Sequence, residues 1–179
     1  SQLSHRRPDV TIVPLRGNID TRLGKLETGE MDAIILAAAG LTRLGLADRI
    51  SEYLDRGVML PAVAQGALCV EIRSNDERIT PLVDALNHAD SRITATAERA
   101  FLHRLEGGCQ VPIAGLAALE DGTVVLEGLV ADVDGTTMIR DRVSGPAETA
   151  AELGIELADR LLAAGGREIL EALMAQDNE

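Results

Sequence analysis

Tryptophan is absent from this chain of 179 residues, and Tyr53 and Phe101 are its only Tyr and Phe. Its cores must therefore be built from Leu, Ile, Val and Ala. A hydrophobic share of 46% suffices for one or two small domains. Only Cys69 and Cys109 carry thiols, and their different settings exclude a disulfide framework. No apolar run approaches the length of a membrane span and no signal-peptide pattern is present, so a cytoplasmic protein with no membrane partner is expected. The three histidines, His5, His88 and His103, are too scattered for a metal site, and no phosphate-binding loop with its lysine occurs. A net charge of −12 argues against nucleic acid as a partner.

What charge there is lies unevenly. Residues 1–60 are electrically balanced, and residues 61–179 supply the whole negative excess. A site for an anionic small molecule therefore belongs in the first third. Lys25 is the single lysine against sixteen arginines, which fits either biased base composition or a use for bidentate carboxylate recognition.

The hydrophobic pattern predicts strands at 9–15 and 32–36 alternating with helices at 18–28 and about 41–46. Both strands are apolar on both faces, so the pattern is α/β, part of a parallel sheet covered on two sides. Two such strands do not complete a sheet, and an N-terminal part of the same protein is expected to supply the rest. Residues 58–73, broken by Pro61 and Gly66, read as a crossover that becomes a strand, with Cys69 a packed core thiol. Helices are expected at 76–87 and 90–106. Strands at about 112–120, 123–133 and 136–143 follow, joined by the two-residue hairpin signals Asp121-Gly122 and Asp134-Gly135. A helical stretch at 147–174 carries Leu153, Leu157, Leu161 and Leu162 on one face and is split at Gly165-Gly166.

Arg16, Gly17 and Asn18 stand where the first strand gives way to its helix, with Arg22 one turn on. Free N–H groups at a helix start favour anions, and Gly17 permits close approach of a ligand. Ala37 to Gly40, then Arg43, repeat the arrangement after the second strand. Ligands of open α/β sheets bind beyond the carboxyl ends of the strands, which makes Arg16, Arg22 and Arg43 candidates to line one cleft. On spacing alone, solvated helix-face arginines are an equal alternative. Gln65 before Gly66 is a candidate polar contact or simply a polar residue at a crossover.

Cys109 follows Gly107-Gly108, where a thiol has room for a bulky attachment. It also follows a helix C-terminus, whose dipole disfavours a thiolate, and Arg104 offsets that only partly. That suits a thiol alkylated once better than one that turns over repeatedly. The segment from Glu98 and Arg99 through Leu105 to Cys109, Val111, Pro112 and Ile113 resembles the cofactor-attachment signature of the porphobilinogen deaminase family.

That resemblance implies two periplasmic-binding-protein-like domains and a small α+β third domain. Residues 1–60 would be the second half of domain 2, 61–87 a return segment of domain 1, and 88–179 the C-terminal domain with its three-stranded antiparallel sheet. It implies a transferase of tetrapyrrole biosynthesis that condenses four porphobilinogen units into hydroxymethylbilane and releases ammonia. A dipyrromethane cofactor would be held covalently by Cys109. Arg16, Arg22 and Arg43 would bind carboxylates of the cofactor and of the growing linear pyrrole chain, with Gly17, Ala37 and Gln65 beside them. The family's catalytic aspartate has no match in this chain, so the chain alone is expected to be inactive; Glu98 and Glu106 read as structural. Two other readings stand beside this one: a carboxylate-binding module without catalysis, and a thiol-based redox or acyl-transfer enzyme.

Overall fold

The computed structural model describes residues 1–105 and 111–176. They form two compact units, Pro8–Asp55 on the one hand and Ser1–Arg7 with the chain from Arg56 onward on the other.

The larger unit is built on an antiparallel meander of β1 (Ile113–Glu120), β2 (Thr123–Ala131) and β3 (Met138–Pro146). Glu120 pairs with Thr123, so Asp121-Gly122 is a two-residue hairpin loop, and both its residues take positive φ (48° and 77°). That primed geometry matches the twist of the flanking strands. The second connection is longer than expected, because β2 pairs with β3 only up to Ala131 and Met138. Side-chain bonds hold the intervening loop instead: the Asp132 carboxylate accepts from Thr136 Oγ1 at 2.6 Å and from Thr137 N at 2.8 Å. Helix α1 (Gln2–Arg6) docks on this loop, with His5 Nδ1 2.7 Å from the Gly135 carbonyl.

One face of the sheet is covered by helices α5 (Ala89–Arg104), α6 (Ala150–Leu161) and α7 (Arg167–Gln176). Ala97, Phe101 and Leu105 recur at four-residue spacing and are buried, as are Leu153, Leu157 and Leu161. Phe101 lies over Gly128, where an added Cβ would come within 2.6 Å of its ring. Gly165, at φ 110°, sets the kink between α6 and α7 where the sequence places the split.

The other face is covered by residues 56–60. Leu60 is buried there with Ala114, Leu129 and Ala131. Gln2 clamps Leu60 through both its backbone groups at 2.8 Å. Arg140 bonds Glu127 at 2.7 Å and the Arg56 carbonyl at 2.8 Å.

Beyond this strap the expected strand does not form. Residues 67–72 are irregular, and Leu68, Cys69 and Val70 are exposed, so Cys69 is not a core thiol. The helix expected at 76–87 shrinks to α4 (Thr80–Asp84), since Leu82 and Leu86 find no surface to cover and so short a helix is marginal without one.

In the smaller unit, α2 (Ile19–Glu27) and α3 (Ala38–Arg43) form as expected, α3 starting three residues early. The strands at 9–15 and 32–36 do not: these residues are irregular, and Val10, Ile12, Val13 and Ile35 are exposed. A parallel strand draws its bonds and its burial from neighbours on both sides. No segment among the described residues pairs with these two.

Candidate functional site

In the smaller unit the sequence 16–22 builds a polar helix start. The Asn18 side chain caps α2, accepting from Thr21 N at 2.8 Å. Gly17 sits at φ 120°, a conformation that L side chains rarely adopt. Arg22 Nε donates to the Gly17 carbonyl at 2.7 Å, which orients its guanidinium back toward the loop. The start of α3 lies beside the start of α2, because Ile19 packs directly over Gly40. No side chain caps α3 at Ala37.

Charge pairing separates the cations of this unit into two sets. Lys25 bonds Glu30 at 2.8 Å and Arg49 bonds Glu27 at 2.7 Å. Arg16, Arg22 and Arg43 make no ion pair among the described residues. Arg16 and Arg43 are exposed, and Arg22 is partly buried. Arg43 lies in the last turn of α3, where a cation also complements the helix dipole.

Gln65 belongs to the larger unit and is exposed. It sits in tandem turns closed by Gln65 N to Ala62 O at 3.0 Å and Ala67 N to Ala64 O at 3.1 Å. Ala64 and Gly66 on either side have φ of 58° and 88°. Glu98 holds this turn: it is 5% exposed, and its two oxygens accept from Ala64 N at 2.6 Å and Ala117 N at 2.7 Å. Burial pushes its pKa up, opposed by these two backbone bonds. Its place on the core side of α5 is legible from its neighbours Ala97 and Phe101, but what it bonds is not, since both partners lie far off in sequence.

Cys109 lies outside the described residues, as does Glu106. The residues flanking that stretch belong to the core and the sheet of the larger unit. Leu105 is buried in the helix-side core, Val111 packs against the same core, and the Pro112 carbonyl accepts from Ala131 N at 3.0 Å. Arg104 is committed to Asp159 at 2.7 Å. Among the described residues no cluster could hold a metal ion, and no helix is long and apolar enough to cross a membrane.

Comparison with known proteins addresses both units. Residues 1–81 match the family described as "Porphobilinogen deaminase, dipyromethane cofactor binding domain", and residues 92–163 match "Porphobilinogen deaminase, C-terminal domain". The chain is 52% identical over 173 residues to the porphobilinogen deaminase of Syntrophotalea carbinolica, covering 97% of this chain and 55% of that protein. The corresponding protein of Pelobacter propionicus is 49% identical over 177 residues, 99% of this chain and 57% of its own length. That of Moorella thermoacetica is 49% identical over all 179 residues, again 57% of its length. The chain thus spans about half the length of the curated relatives it matches. With both of the family's domain descriptions matched in order and half of all residues shared end to end, the chain belongs to the porphobilinogen deaminase family.

Proposed function

We propose that the protein carrying this chain is a hydroxymethylbilane synthase, a transferase that joins four porphobilinogen units head to tail and releases ammonia at each addition. The observation that carries this is the 52% identity over 97% of the chain, together with the match of residues 92–163, which include Cys109, to the family's C-terminal domain. On this reading Cys109 Sγ holds a dipyrromethane as a thioether. When bound, that group supplies the primer on which the pyrrole chain grows.

The donor set in the described residues fits a ligand that carries carboxylates. Arg22 and Arg43 lie on two helices whose starts are adjacent, Arg16 precedes the first of them, and none of the three has an acidic partner among the described residues. Arg16, Arg22 and Arg43 would neutralise carboxylates through charge-assisted bonds, and Gly17 and Ala37 would leave the backbone N–H groups of the helix starts open to them. Gln65 would donate to a pyrrole carboxylate or accept from a pyrrole N–H. Tethering one end of the growing chain makes each addition effectively intramolecular. We assign residues 1–60 to the second half of a periplasmic-binding-protein-like domain 2, 61–87 to a return segment of domain 1, and 88–179 to the α+β domain that bears the cofactor. With the charge-stabilising carboxylate unmatched, the chain by itself would hold ligand without turning it over.

The test is substitution of Arg16, Arg22 and Arg43 by Leu, singly, in the protein extended to the length of its relatives. Each variant should stall elongation or cofactor assembly while stability changes by no more than about 0.5 kcal/mol, as for exposed side chains generally. Normal elongation in all three, with only the melting temperature lowered, would remove the carboxylate-binding assignment.

A further inference from the structure

We propose that Glu98 is a positioning residue for Gln65, its buried carboxylate fixing the turn at 62–67 that presents the Gln65 side chain. The inference rests on the reading of Gln65 as a contact of the cofactor or substrate.

β1 is an edge strand, and its outward N–H groups need acceptors. Gly115 N finds one in the Pro61 carbonyl at 3.1 Å, so the strap begins to run along this edge. It then turns away at Ala62, and direct pairing stops. The Glu98 carboxylate fills the gap from the helix layer, taking Ala117 N of the edge with one oxygen and Ala64 N of the turn with the other. One side chain thus ties α5, β1 and the turn together at Ala64, the residue before Gln65.

Two features set this apart from ordinary core packing. Glu98 is the one charged side chain among the buried core residues described, and it has no cationic partner among the described residues. A buried carboxylate without a cation is a poor way to gain stability, since an apolar residue of similar size packs at less desolvation cost. Ala64, moreover, is held at φ 58°, a conformation an L residue enters only when its surroundings require it. The bond from Ala64 N to Glu98 is the visible requirement. Only a carboxylate offers acceptors at both ends of the fork, because Gln would set its NH2 group against one of the two N–H donors.

The experiment is a double-mutant cycle of Glu98→Gln and Gln65→Ala in the protein extended to the length of its relatives. The readouts are KM for porphobilinogen, the fraction of protein carrying a covalent adduct by intact mass, and the melting temperature. Glu98→Gln should raise KM on the order of tenfold and lower the adduct fraction. Gln65→Ala should do the same at an unchanged melting temperature. The double variant should be no worse in KM than the worse single, since Glu98 acts through Gln65. Ala64→Gly, which accepts positive φ freely, should recover part of the KM lost in Glu98→Gln. Fully multiplicative losses would make Glu98 merely structural and overturn the inference, while adduct and turnover in the wild type left the proposed function standing. A wild type with neither adduct nor turnover would overturn both. Should Glu98→Gln fail to fold, hydrogen exchange in the wild type decides: the Ala64 amide should exchange as slowly as that of Ala117, and fast exchange at Ala64 would sink the proposal.

Discussion

Cys69 is exposed, and Leu68 and Val70 beside it are open to solvent too. Its thiol has no packing to lose in this chain. Cys69→Ser is therefore expected to change stability by no more than about 0.5 kcal/mol. A thermal melt of the two proteins checks this, and a loss of several kcal/mol would place the thiol in a core. The run Ala67-Leu68-Cys69-Val70 reads as buried because hydropathy reports what a side chain prefers, not whether a partner surface reaches it. Arg16, Arg22 and Arg43 lie near helix ends, a local property, and they are the cations of their unit left without an acid among the described residues. Glu98 shows the opposite limit. Its burial follows from helical spacing, but its bonds to Ala64 and Ala117 depend on chain paths that no local pattern encodes.

Elements whose determinants are local are legible in the sequence. The meander and its first hairpin follow from short alternating runs and from Asp121-Gly122. α5 and α6 follow from apolar residues at helical spacing. The second hairpin is longer because Asp132 and α1 compete with strand pairing for its backbone. Burial of its side chain works against ionisation of Asp132, but the bonds from Thr136 Oγ1 and Thr137 N prevail and hold its pKa at about 2 against a usual 3.8. A depressed carboxylate contributes stability that is present above its unfolded value and is lost as pH falls through its folded value. The loop and the docking of α1 are therefore expected to weaken between pH 3.8 and about 2. Glu98 works in the other direction. Its raised pKa means that stability is lost as pH rises from 4.5 through its folded value. Comparing wild type with Asp132→Asn isolates the first effect. The wild-type melting temperature should drop more steeply than that of the variant as pH falls through this window. Parallel curves would mean that the Asp132 bonds do not stabilise the loop.

At the scale of the whole molecule, sequence and structure diverge where a strand needs a distant partner. Residues 9–15, 32–36 and 67–72 have strand-like composition, but no segment among the described residues pairs with them, and their apolar side chains stay exposed. Composition shows that a segment suits a sheet; it does not supply the sheet. The α+β layer around the meander carries its own determinants and forms within the chain. The family assignment rests on neither, but on identity spread along the whole sequence. The central functional claim is that Cys109 is a tether, and intact mass tests it most directly. The protein, extended to the length of its relatives, is purified as wild type, as Cys109→Ser and as Cys69→Ser. The wild type and Cys69→Ser should each be heavier than their sequence by one dipyrromethane, and Cys109→Ser should have the bare mass and no turnover. An adduct that persists in Cys109→Ser, or a bare wild type that turns over porphobilinogen normally, would contradict the account.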